Sequence, residues 1–217
     1  MRDKAPLVAR KLAHWHKVHL PGKCESLLFP TLWKWLNGIP SPYSVPDIQH
    51  RFARSIDVAY VREQLVRLEK RIEALNCPVV FCHNDLLSAN IIYQNKKDDV
   101  AFIDFEYGGY NHRSFDIANH FCEWAGFECD YSLYPNEEEQ RAWLAEYIKS
   151  HHCGSDPCSC SVDKLLKEVS VFALCSHLYW GLWGLVQASF SDIPFDYMGY
   201  AIKRLSRFRE TQHHNTT

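Results

Sequence analysis

"VVFCHNDLLSANIIYQNKKDDVAFIDFEY", residues 79–107, decides how the rest of the chain is read. An apolar run, residues 79–82, ends at His83. Two short β-favouring runs, residues 91–93 and 100–103, flank the polar stretch "QNKKDD", which predicts an antiparallel hairpin. The residue entering the first strand of a hairpin neighbours the residue leaving the second, so Asn90 and Asp104 are expected side by side. An amide oxygen and a carboxylate at one open end are hard donors of the kind Mg²⁺ takes, alongside waters and substrate phosphates. Glu106, one alternation beyond Asp104, is expected to reach the same ion or a second one. Asp85 precedes the hairpin in a loop, where a carboxylate can take a proton from a substrate hydroxyl. A base and metal ligands with little covalent chemistry left for the protein make a phosphoryl-transfer layout. The alternative is a surface hairpin whose ends are merely polar.

Composition fits that chemistry and narrows the partners. The chain has 217 residues, 47% apolar and 14% aromatic, enough to bury a core as a single domain, 1–217. A formal charge of −2 leaves no basic excess to neutralise a phosphate backbone, so nucleic acid is excluded as a partner on electrostatic grounds. Nine scattered cysteines suggest a reducing, cytoplasmic compartment rather than a disulfide framework. The opening "MRDKAPLVARKLAHWHKVH" is basic enough to pass for a transit peptide. Leu7, Val8, Lys11, Leu12, Trp15 and Val18 follow helical spacing, however, which predicts an amphipathic helix from about Pro6.

The remaining pattern is mostly helical. Residues 20–48 are rich in Pro, Gly and Ser and read as an aromatic turn region. Residues 57–75 carry Val58, Val61, Leu65, Leu68, Ile72 and Leu75 at helical intervals, and Pro78 ends that helix. "EEEQRAWLAEYIKSH" has acids at its start and a base near its end, as the helix dipole prefers. Residues 169–191 lack any Asp, Glu, Lys or Arg and are long enough to span a bilayer. Interrupting Ser, His and Gln residues favour a buried core helix instead, with no membrane span. "DYMGYAIKRLSRFRE" reads as a closing amphipathic helix. The fold class is therefore α+β, mainly helical, with one small β element. His151, His152, Cys153, Cys158 and Cys160 are of zinc-binding types but lack paired C-x2-C spacing, and read as an unliganded loop.

"HNDLLSANIIY" (83–93), "IDFEYGGYNHRSFDIANHFCEW" (103–124), "SHLYWGLW" (176–183) and "IPFDYMGYA" (193–201) resemble the choline/ethanolamine kinases, whose fold is similar to that of protein kinases. The likeness runs from the first helix to about Phe208 and implies the C-terminal lobe of that fold. It implies Asp85 as the catalytic base, Asn90 and Asp104 as Mg²⁺ ligands and Glu106 as a further one. His83 becomes a structural residue of the catalytic loop, and Asp116 and Asn119 brace that loop. The activity implied is phosphorylation of an amino alcohol by ATP, the first step of the CDP-ethanolamine route to phosphatidylethanolamine.

For the amine, the resemblance implies an aromatic cage of Trp180, Trp183, Phe195, Tyr197 and Tyr200, joined by Tyr107 and by the carboxylate of Glu123. By themselves such aromatics are more often core packing. A quaternary ammonium asks only for ring faces, whereas a primary ammonium has three donors to satisfy once buried. Leu86 and Leu87 and "DYSLYP" (130–135) look like ethanolamine kinases; "FCEW" and "WGLW" look like choline kinases. Ethanolamine is favoured and choline is the alternative substrate. A homodimer remains open. The Gly-rich loop and strand lysine that clamp ATP in kinases of this fold are not found in these residues. A catalytically incomplete, amine-binding lobe is therefore the second expectation.

Overall fold

The computed structural model describes residues 2–151 and 161–212. Its helices are α1 (Ala5–Trp15), α2 (Leu28–Asn37), α3 (Pro46–Ser55), α4 (Val58–Leu75), α5 (Arg113–Cys122), α6 (Glu137–His151), α7 (Val162–Gln187) and α8 (Tyr197–Gln212). Its strands are β1 (Val79–Cys82), β2 (Ile91–Gln94), β3 (Asp99–Phe102) and β4 (Gly109–His112). The chain is mainly helical with small antiparallel sheets, the α+β class its sequence predicts. The His and Cys residues read as an unliganded loop lie outside the described residues, except for His151, the last residue of α6.

Contacts divide the chain into two compact units. The first comprises Met1–Leu27, Cys77–Gly126 and Asp130–Ala173. Here β2 and β3 form the expected hairpin, with Ile91 opposite Phe102 and Gln94 opposite Asp99. Its turn is a 3-10 segment, Asn95–Lys97, closed by Asp98 at φ 45°, a left-handed conformation that Asp tolerates. β1 pairs with β4, Val79 opposite His112 and Cys82 opposite Gly109, so there are two β elements where one was expected. β4 reads "GYNH", without an apolar alternation to announce it. A side chain at Gly109 would meet Leu27 Cδ1 at 2.6 Å, so the glycine marks a close approach.

α1 packs on α6, burying Leu7, Val8, Ala9, Leu12 and Ala13. It stops at Trp15, and Val18, expected on its apolar face, is exposed. Asn136 and Glu139 exchange 2.9 Å hydrogen bonds across the first turn of α6, a capping box. All ten residues of α5 are buried, so α5 is the core helix of this unit. Its Arg113 meets Glu168 of α7 at 3.4 Å, an enclosed pair that Ser114 completes with a 2.7 Å hydrogen bond to the same carboxylate.

The second unit comprises Leu28–Asn76, Phe127–Cys129 and Leu174–Thr217, of which residues up to 212 are described. α4 buries Val61, Leu65, Leu68 and Ile72, the predicted stripe. It is capped by Asp57, which accepts from Tyr60 N, and ends at left-handed Asn76. The region expected to be turn, residues 20–48, holds α2 and the start of α3. Pro30 and Pro46 both fall in the first turn of a helix, where a missing N–H costs nothing. α2 buries Leu28, Phe29, Leu32 and Leu36, whereas α3 buries none of its residues. α7 is long and apolar enough to cross a membrane, but 78% of its most apolar stretch is buried within the protein, which supports the core-helix reading.

Candidate active site

The loop after β1 is built from backbone groups held by one face of α5. Asp116 accepts hydrogen bonds of 2.8 Å from the backbone N–H of both His83 and Asn84. Asn119 Nδ2 donates to Asn84 O at 3.1 Å, and His120 Nδ1 meets Leu86 O at 2.9 Å. Residues 116, 119 and 120 share a face by helical spacing, so a single helix surface pins residues 83–86. The sequence reading has Asp116 and Asn119 brace both the loop and a helix start; both side chains bond the loop backbone, whereas α5 begins three residues before Asp116, at Arg113.

Asp116 is itself anchored. Its Oδ2 lies 3.0 Å from His16 Nε2, and His16 Nδ1 is 2.7 Å from the Tyr147 hydroxyl. Complete burial pushes the Asp116 carboxyl up, but the hydrogen bond with His16 and the donors at His83 outweigh it and hold the group below the usual carboxylate range. Cys82 lies close to His16 and Asp116, within reach of a shared ion. Both carboxylate oxygens are already hydrogen-bonded inside the protein, so this trio is structural. His83 Nε2 meets Ile103 O at 3.0 Å and its ring packs among Trp15, Phe102 and Phe105, tying the loop to the end of the hairpin.

Two members of this scaffold were not singled out from sequence. Asn84 sits at φ 65°, and its Nδ2 donates to Tyr107 O at 2.9 Å while its Oδ1 accepts from Asn111 Nδ2 at 2.9 Å. An Asn ahead of Asp85 is the one available signal, since Asn enters the left-handed region more readily than most residues. His120 is buried, which lowers its pKa to about 4 and keeps the ring neutral. With Trp124 Nε1 donating to its Nε2 at 3.3 Å, the proton belongs on Nδ1, facing Leu86 O.

Asp85 is the product of this bracing. Its side chain is buried and accepts from Asn90 Nδ2 at 3.1 Å, and the same Nδ2 donates to Asp85 O at 2.8 Å. Burial, then the negative charge of Glu123, pushes the Asp85 carboxyl up to about 8; Asp104 and Glu106 add to the rise and the Asn90 hydrogen bond opposes it. Asp85, Glu123, Asp104 and Glu106 therefore share one electrostatic site. Ile103 N donates to Asn90 O at 3.0 Å, so the hairpin pairing extends to Asn90, and Asp104 follows one residue beyond its partner.

The route to Glu106 differs from expectation. β3 ends at Phe102, Asp104 adopts φ 63°, and Glu106 falls in a turn, so no strand alternation carries it. The left-handed residue turns the chain after the hairpin instead. Asn90 commits its Nδ2 to Asp85, which leaves Oδ1 to coordinate. The Asp104 and Glu106 carboxylates are exposed and have no hydrogen-bond partner among the described residues. Each is a hard oxygen donor of the kind a divalent cation such as Mg²⁺ takes. Glu123, buried at 7% exposure, lines a cavity of about 250 Å³ with Leu86, Ser88, His120 and Trp124.

In the second unit, the other aromatic residues form one cluster. Trp183 lies 5.4 Å from both Trp180 and Tyr197 and 6.3 Å from Tyr200, ring centre to ring centre. Phe195 lies 4.9 Å from Tyr197 and 5.7 Å from Tyr200. Nearly all these rings meet edge to face, which orients their negative faces away from one another. Phe127, missed from sequence, joins at 5.5 Å from Phe195; it is half exposed.

A family model described as choline/ethanolamine kinase matches residues 2–209, and the chain belongs to that family. It is 44% identical over 205 residues to a Dictyostelium discoideum protein described as "Probable ethanolamine kinase A", covering 94% of this chain and 58% of that one. It is 41% identical over 210 residues to mouse ethanolamine kinase 1, covering 93% and 58%. Among solved structures, Plasmodium vivax ethanolamine kinase superposes with a TM-score of 0.84 at 32% identity, over 97% of this chain and 61% of that one. The chain thus spans less than two thirds of these relatives.

Proposed function

We propose that these residues form the C-terminal-lobe portion, as a single domain, of an ATP-dependent ethanolamine kinase that works in the cytoplasm, with choline as the alternative substrate. The observation that supports this most is Asp85, buried and oriented by Asn90, among the acids Asp104, Glu106 and Glu123. In the ionised state Asp85 accepts the hydroxyl proton of the amino alcohol. The freed oxygen attacks the γ-phosphorus of ATP, the bond to the bridging oxygen breaks, and phosphoethanolamine and ADP result. Mg²⁺ held by Asn90, Asp104 and Glu106 would offset the local negative charge and that of the phosphates. Tyr107 and Glu123, and separately the aromatic cluster of the second unit, are assigned to the ammonium group.

The second reading is an amino-alcohol-binding module, in which these residues hold the amine without transferring phosphate. Isothermal titration separates the two. Mg²⁺-dependent ATP binding together with ethanolamine binding supports the kinase; amine binding without nucleotide affinity supports the module; binding of neither amine overturns both.

A further inference from the structure

The cluster that the amine reading uses has two halves, one on α7 and one around the start of α8. Trp180 and Trp183 stand on α7. Phe195 lies in an irregular segment ahead of α8, whose backbone bonds there are local: Phe195 N to Ile193 O at 2.7 Å and Tyr197 N to Phe195 O at 2.9 Å. What fixes this segment is the residue between the two rings. Asp196 accepts from Gly199 N at 3.0 Å, capping α8, and its two oxygens also take Arg51 Nη1 at 2.9 Å and Nη2 at 2.8 Å. A two-pronged guanidinium–carboxylate contact fixes direction as well as distance, unlike an ordinary surface ion pair.

α3 buries no residue fully, and Ile48, Arg51 and Phe52 are half-buried. Arg51, with the Phe52 ring 5.0 Å from Tyr43, ties it down. Gly199 leaves room for this joint: a side chain there would overlap Asp196 Oδ2 and come within 2.7 Å of Arg51 Nη2.

The geometry points to Arg51 as a positioning residue for amine recognition, clamping Asp196 so that Phe195 and Tyr197 hold their places against Trp183 and Tyr200. The inference rests on the amine-binding reading above. Arg51 touches no substrate; it acts through Asp196 and α8.

The test compares the unaltered 217-residue chain with Arg51→Ala, Arg51→Lys and Gly199→Ala, using titrations of choline and ethanolamine and the ring-proton NMR shifts of Phe195. Both Arg51→Ala and Gly199→Ala are expected to weaken amine binding by roughly fivefold or more, the scale of misplacing one ring of a cation site. Arg51→Lys keeps the charge but loses the fork, and recovers only part of that loss. Phe195 shifts move toward unstructured values, while those of Trp35 and Tyr179, which meet edge to face 4.5 Å apart, stay fixed and report an intact unit. Unchanged Phe195 shifts and affinity in Arg51→Ala overturn the inference, as does full recovery by Lys. If the unaltered chain binds neither amine, the amine reading fails on its own, and the clamp is then judged by the Phe195 shifts alone.

Discussion

The carboxylate of Asp116 holds the backbone N–H of Asn84 at 2.8 Å, so a buried residue of α5 sets the path of the chain one position before Asp85. The same carboxylate takes His83 N and His16 Nε2. Asp116→Ala strands all three buried donors and is expected to destabilise the chain by about 3–5 kcal/mol in urea unfolding. A loss under about 1 kcal/mol would mean the loop is held by other contacts.

The Asp116 shift also predicts a pH dependence. Its folded-state pKa lies below that of the unfolded chain, so its contribution is complete above the ordinary Asp value of about 4 and is lost as pH falls through the folded value. The difference in melting temperature between the unaltered chain and Asp116→Asn should be full at pH 6 and narrow below about pH 4. A difference that widens on acidification would contradict the sign.

Asp85→Asn, placed in a two-lobed relative of this chain or in this chain joined to an ATP-clamping lobe, should reduce phosphate transfer by roughly 10²–10⁴-fold and leave amine binding nearly intact. The amide preserves the shape facing Asn90 but cannot take a proton. Retained turnover would assign the base elsewhere.

Trp183→Ala should weaken choline binding by about 1–2 kcal/mol and ethanolamine binding by less. Only the quaternary ammonium depends chiefly on ring faces; a primary ammonium also needs hydrogen-bond acceptors. Equal losses in calorimetric titration would count against the cluster as a cation site.

The sequence was most legible where periodicity and turn chemistry agreed. α4 announced itself through Val61, Leu65, Leu68 and Ile72, and the hairpin through "QNKKDD" between β-favouring runs. α2 and α3 were hidden by prolines that read as breakers but sit at helix starts. β4 was hidden because "GYNH" is selected for close approach and hydrogen bonding rather than apolar alternation. Asp85, Asn90 and Asp104 could be singled out because the hairpin they flank is legible from its turn and its β-favouring runs. Asn84 and His120 could not, since their work is done on backbone carbonyls and amides of a loop whose partner helix no local pattern reveals. Phe127 and Arg51 are likewise distant in sequence from the segment they touch.

The central claim is that Asn90, Asp104 and Glu106 converge beside Asp85 on a divalent-cation site. Paramagnetic broadening by Mn²⁺, which shares the oxygen preference of Mg²⁺, tests it directly and tolerates weak binding. Substoichiometric Mn²⁺ should broaden the amide resonances of residues 85, 90, 104 and 106 first, and Asp104→Ala should abolish that selectivity. Broadening centred elsewhere, or unchanged in Asp104→Ala, would contradict the account.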